Sequence, residues 1–165
     1  MSVREIGVTI RGPARGHVKA SWLREVVNIA LSNVRNPPQG DISLVATSKT
    51  EVRRLNLQHR GLDEDTDVLA FPSSGPNADV AFPVHSGSSD TLGEIVLSYP
   101  TAIEQAKEYS HTVEQEMAVL VVHGLLHLMG YDHEEPTAKS SMRNKEVEIL
   151  SALGHLTPGY AKHYA

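Results

Sequence analysis

The chain has 165 residues, 40% of them hydrophobic and 21% charged, which suits a single domain over 1–165 with a core of its own. No apolar run approaches the roughly 20 residues that span a bilayer, which argues against a membrane protein, and the lack of cysteine excludes disulfide frameworks, thiolate metal sites and cysteine nucleophiles together. A formal charge of −5 opposes unselective attraction to nucleic acid, so an RNA partner would need a local basic surface.

The first segment, MSVREIGVTIRG, carries charge and lacks the apolar stretch of a secretory signal, so a cytoplasmic address is expected. Within it, Ile6, Val8 and Ile10 alternate with smaller or polar residues, the pattern of a half-buried strand ending at Gly12-Pro13. A helix follows, capped by Ser21, with Trp22, Val26, Ala30 and Val34 along one face until Pro37-Pro38-Gly40 stops it. ISLVAT, residues 42–47, reads as a second strand. Ser48 and Glu51 then have capping-box spacing ahead of a short helix whose apolar side is Val52, Leu55 and Leu57. Asp67 to Phe71 is a third strand closed by Pro72, and the Gly-, Ser- and Pro-rich stretch 72–91 is expected to be a mobile surface loop, with a stub of strand around 79–83.

GEIVLS, residues 93–98, returns to strand character, and Pro100 to Tyr109 reads as a helix with Ile103 and Ala106 inward. Thr112 with Gln115 is a second capping-box pair, and Glu114 and Glu116 complement the dipole of the helix it opens. That helix contains MAVLVVHGLLHLM, apolar nearly all round, and is expected to be central and buried. A last helix, Pro136 to Leu153, turns Met142, Glu146, Ile149 and Leu153 to one side and stops at Gly154. The order predicts an α+β fold: a mixed sheet of about four strands with about five helices packed on it and a metal site in the C-terminal helical part.

The chemistry concentrates in HGLLHLMGYDH, residues 123–133. His123 and His127 are one helical turn apart on one face, close enough to share an ion. Gly130 accepts the left-handed conformation that lets the chain double back and bring in His133. Three neutral imidazoles with one position left to water match a catalytic zinc site, since a structural zinc takes a fourth protein ligand. Nickel, copper and iron also accept such a set. The spacing His-x3-His-x2-Gly-x2-His is that of the metzincin proteases, but Gly124 stands where those enzymes carry the glutamate base, so a peptidase mechanism lacks its central group. Asp132 either orients an imidazole or caps the turn, and Tyr131 packs in it. Glu116, two turns before His123, is roughly 10 Å away by helical rise and too far for direct proton transfer without a bridge. His17, His59, His85, His111, His155 and His163 lack ligand spacing and are expected at the surface.

HGLLHLMGYDHE, with LNLQHRGLDEDTDVLAFP (residues 55–72), LGEIVLS (residues 92–98) and the Met142, Glu146, Leu150 pattern of the last helix, resembles the YbeY family of bacterial ribosomal-RNA maturation factors. The resemblance implies a single-strand-specific, metal-dependent endoribonuclease that processes the 3′ end of small-subunit rRNA and takes part in ribosome quality control. It also implies one zinc ion on His123, His127 and His133 with a water, His123 and Arg60 as catalytic residues, a monomer, and as partners the small ribosomal subunit with a ribosomal protein or an Era-like GTPase. Two departures are Ala70, where a serine is common, and a long 73–90 loop, which bear on loop contacts and leave the ligands untouched. The residues themselves place Arg53, Arg54, His59 and Arg60 in one basic cluster where a phosphate could dock, with a solvated arginine as the bland reading of Arg60. Two other functions compete: a metal-dependent hydrolase of a peptide or small molecule, and a non-catalytic ribosome-assembly module whose metal only locks the C-terminal helices. Neither the proton acceptor nor the nucleophile, water or the RNA 2′-hydroxyl, follows from the residues.

Overall fold

The structure, a computed structural model, describes residues 4–73, 91–131 and 135–164. Strands β1 (Ile6–Ile10), β2 (Asp41–Thr47), β3 (Val68–Pro72) and β4 (Thr91–Ser98) form one sheet in the order β1-β2-β4-β3. β1, β2 and β4 are parallel, and β3 runs antiparallel to β4 along the edge. Around the sheet lie α1 (Ala20–Ser32), α2 (Lys49–Arg60), α3 (Tyr99–Glu108), α4 (Val113–Leu128) and α5 (Pro136–Leu153), with short 3-10 segments at Gly12–Ala14 and Pro158–Tyr164. This is the mixed α+β arrangement that the pattern of elements predicts. Among the described residues, no helix is long and apolar enough to cross a membrane.

The two faces of the sheet are covered differently. Ile42, Leu44 and Ala46 of β2, with Ile95 and Leu97 of β4, join the larger core against α1, α4 and α5. Val45, Leu69, Phe71 and Val96 point to the other face, where Val52 and Leu55 of α2 close over them. β4, lying between β2 and β3, is buried from Leu92 to Ser98, because an inner strand covered on both faces cannot alternate in polarity. Pro72, which has no N–H to give a ladder, is tolerated because β3 is an edge strand.

Several local expectations are corrected. α1 is capped at Lys19 without a side-chain bond, so Ser21 lies inside the helix. Its buried side is Leu23, Val26, Val27, Ala30 and Leu31, since a period of 3.6 drifts off a strict every-fourth spacing, and Val34 falls beyond the helix end. Ser48 Oγ accepts from the Glu51 N–H at 3.2 Å, but the Glu51 carboxylate turns outward to Arg54 and leaves the box half made. Leu57 is 49% exposed, and the buried residue beside it is Asn56, whose amide donates to Glu64 O at 3.0 Å. Leu153 and Ile103 are half-buried, and Leu150 and Ala102 take the inward positions. The stretch read as a mobile loop lies, from residue 74 to residue 90, outside the described residues, as does the strand stub within it.

Candidate metal centre

α4 is held at its start by a complete capping box. The Gln115 N–H donates to Thr112 Oγ1 at 3.1 Å and the Thr112 N–H to Gln115 Oε1 at 2.9 Å. The helix is buried over most of its length, as its apolar composition predicts, and crosses β3 and β4. Gly124 permits that crossing: a Cβ there would lie 3.0 Å from Ile95 Cγ2 and 3.5 Å from Val68 Cγ2. The helix ends in a Schellman turn. The Tyr131 N–H donates to Leu126 O at 3.0 Å and the Gly130 N–H to His127 O at 3.1 Å, with Gly130 at φ +94. This is the left-handed glycine the sequence called for, and Tyr131 packs half-buried against the core. The residues that follow, Asp132, His133 and Glu134, lie outside the described residues.

One turn of α4 brings His123 and His127 together, with their Nε2 atoms 3.1 Å apart and the rings nearly perpendicular at 77°. The other nitrogen of His123, Nδ1, is 2.9 Å from Oε1 of Glu146 on α5. Glu146 is 1% exposed, and its second oxygen, Oε2, accepts from Tyr160 OH at 3.0 Å and from Tyr164 OH. A carboxylate can only accept, so the His123 proton belongs on Nδ1 and the Nε2 lone pair faces His127. Ligands at about 2.0–2.1 Å from a tetrahedral ion stand roughly 3.3 Å apart, close to the spacing this pair already has. The two imidazoles therefore fit two corners of a metal site, with a carboxylate orienting one of them from behind.

Arg60 is supplied by a different element. It ends α2, whose C-cap Gly61 sits at φ +72, is exposed, and donates from Nη2 to Ala70 O on β3 at 3.5 Å. The basic cluster expected around it is mostly neutralised: Arg53 pairs with Asp63 at 2.8 Å, and Arg54 grips both oxygens of Glu51. Arg60 has no carboxylate partner among the described residues. Strand β3 ties the two parts together, since Val68 packs under Gly124 of α4 and Ala70 receives Arg60.

The histidines expected at the surface divide. His17 is exposed, His59 and His155 are half-buried, and His85 lies outside the described residues. The His111 side chain, by contrast, is 1% exposed and that of His163 15%, and both bond the fully buried Glu116, His111 Nε2 at 2.6 Å and His163 Nε2 at 2.7 Å. Gln105 Nε2 donates to the same carboxylate at 3.0 Å and to Asp67 Oδ2 at 3.2 Å. The expectation fails because nothing in ligand spacing foretells that the Pro158–Tyr164 segment folds back beside α4. Glu116 is thus committed to its own buried cluster. Burial alone would push its pKa up, but the hydrogen bonds from His163 and His111, with Gln105, outweigh it and hold the carboxyl below its ordinary 4.5. A depressed carboxylate contributes stability that is fully present above that ordinary value and lost as pH falls through the folded one. Glu116→Gln is expected to cost about 2 kcal/mol at pH 7 and to flatten the fall in melting temperature below about pH 4.5; equal acid slopes in the two proteins would contradict the assignment.

A cavity of about 250 Å³ opens beside His123, lined also by Asp67, Lys139, Glu146, His163 and Tyr164. Elsewhere, Glu94 of β4, only 7% exposed, is pushed up to about 7 by burial, with Arg11 opposing.

Comparison with known proteins adds a family to this geometry. The family model described as Endoribonuclease YbeY matches residues 15–154. A protein named Endoribonuclease YbeY from Dehalococcoides mccartyi (strain 195) is 38% identical over 148 residues, 86% of this chain and 86% of its own. One of the same name from Roseiflexus is 36% identical and covers 93% of this chain and 95% of its own. A Thermotoga maritima protein solved in solution superposes with a TM-score of 0.52 at 28% identity, over 88% of this chain and 89% of that one.

Proposed function

The chain belongs to the YbeY family of endoribonucleases and is a nuclease hydrolase of that kind, and on that premise we propose that it cleaves single-stranded RNA with one zinc ion held by His123, His127 and His133. Its place of action in this reading is the 3′ end of small-subunit rRNA and the quality control of ribosomes, with the small ribosomal subunit, a ribosomal protein or an Era-like GTPase as partners. The observation that carries the reading is the meeting of the His123 and His127 Nε2 atoms at 3.1 Å while Glu146 holds His123 Nδ1.

When bound, such an ion polarises a phosphoryl oxygen and lowers the pKa of a coordinated water toward about 7. The chain's own residues do the rest. Glu146 keeps the His123 proton on Nδ1, so that Nε2 presents its lone pair on the side where His127 Nε2 lies. Arg60, free of any carboxylate among the described residues, offers a planar fork that grips a phosphate in two hydrogen bonds and offsets charge growing on its oxygens. A peptidase reading is disfavoured by Gly124, which leaves no carboxylate base directly after His123; a Cβ there would also press on the Ile95 side chain, 3.0 Å away.

Arg60→Ala is expected to lower single-turnover cleavage of unstructured RNA by roughly 10²–10³-fold, the range for removing one preorganised donor to a developing anion. Its melting temperature should stay within a degree or two of wild type, since among the described residues the exposed guanidinium makes one bond, to Ala70 O at 3.5 Å. The function itself is tested with the purified chain on unstructured RNA, treated with chelator and then resupplied with zinc. Cleavage that disappears and returns supports the reading; cleavage indifferent to metal, or of peptide alone, overturns it. A 2′,3′-cyclic phosphate at the new end would identify the RNA 2′-hydroxyl as the nucleophile.

A further inference from the structure

After α5 the chain turns at Gly154, φ +75, and returns as the 3-10 segment Pro158–Tyr164. The return is tightly seated. A Cβ at Gly159 would overlap the carbonyl oxygen of Tyr109, and Tyr160 is 3% exposed. Two hydroxyls from this segment converge on one oxygen of one carboxylate, Tyr160 OH at 3.0 Å and Tyr164 OH, both donating to Glu146 Oε2. Its other oxygen faces His123 Nδ1 at 2.9 Å. Arg143 lies 5.0 Å over the Tyr164 ring and holds the ring in place. Burial, with Glu146 alongside, raises the Tyr160 hydroxyl far above the ordinary phenol range, so it remains a donor.

We propose that Tyr160 and Tyr164 are positioning residues for His123, acting through Glu146. The physical step is the fixing of a plane. With its Oε2 pinned by two hydroxyls, the Glu146 carboxylate cannot rotate, and its Oε1 meets the imidazole in one orientation that selects the Nδ1–H tautomer. Loosening the carboxylate admits the Nε2–H tautomer, whose proton occupies the position a metal needs, so apparent affinity falls with the population of the competent state. The segment thereby ties the end of the described chain to the first ligand of the candidate site, and the inference rests on reading His123 as a metal ligand.

The experiment uses the full chain as wild type, Tyr160→Phe, Tyr164→Phe and the double variant, with zinc affinity read by competition against a chelating dye and the His123 tautomer read by imidazole nitrogen resonances without metal. Phenylalanine keeps each ring and removes only the hydroxyl. The expected result is zinc affinity weakened roughly tenfold in Tyr160→Phe, within the range for partners behind a ligand, further weakened in the double variant, with a mixed His123 tautomer. A purely structural role would lower melting temperature while leaving tautomer and affinity in place, and that result overturns the proposal. If Tyr160→Phe does not fold, Tyr164→Phe carries the same test from a half-buried position. Equal zinc binding in all four proteins overturns the proposal and leaves the metal reading standing, whereas a wild type that binds no zinc overturns both.

Discussion

His123→Ala is expected to reduce cleavage of unstructured RNA by at least about 10³-fold and to abolish stoichiometric zinc retention. Metal-derived charge stabilisation amounts to several kcal/mol, and each 1.36 kcal/mol is a factor of ten. The substitution also removes the donor facing Glu146 Oε1 at 2.9 Å, although the tyrosine hydroxyls on Oε2 remain. The melting temperature of the metal-free variant should therefore fall by a few degrees, far too little to explain lost cleavage. Single-turnover kinetics beside metal analysis of the folded variant decide the matter. Cleavage within tenfold of wild type, in a variant that has lost its zinc, would remove His123 from the mechanism.

Gly93→Ala is the second large effect, and it acts on the site through the fold. Gly93 lies in β4 opposite Pro72 of β3, where a Cβ would be 2.5 Å from Phe71 O and 2.6 Å from Leu128 Cδ2. Leu128 can rotate away; a backbone carbonyl in a paired strand cannot without breaking the ladder. Overpacking costs about 1–3 kcal/mol, and a clash with backbone belongs at the upper end. For a domain of this size, about 3 kcal/mol corresponds to a fall of roughly 10 °C in melting temperature. Because Leu128 adjoins His127, any adjustment of α4 also moves a candidate ligand, so zinc affinity should fall with stability. A variant melting within 2 °C of wild type would show that β3 and β4 are not held this closely, since about 1 kcal/mol already moves the midpoint by that much.

Much of the site was legible because it is local. His123, His127 and Gly130 are related by helical geometry alone, and the structure puts the two imidazoles in contact and the glycine at φ +94 as their spacing requires. The capping box at Thr112 and the stop at Gly154 were equally local, each settled by atoms within a few residues. Glu146 was legible only as a member of the inward side of α5, beside Met142 and Ile149. Its meaning, a carboxylate buried to meet His123, depends on how α4 and α5 cross. Arg60 stood out in a basic cluster, but the cluster itself did not survive, because Asp63 and Glu51 neutralise two of its arginines.

By itself, then, the sequence determined the order and type of the elements, the helix that carries the chemistry, and the pair of imidazoles on it, since all of these follow from periodicity and capping over short separations. Tertiary structure alone decided what stands behind those imidazoles. The return of Pro158–Tyr164 sets Tyr160 on Glu146 and His163 on Glu116, contacts spanning 14 and 47 residues that no local pattern encodes. The physical reason is burial. A carboxylate enclosed by apolar helices needs donors wherever the chain can deliver them, and only the packed fold brings those donors within reach.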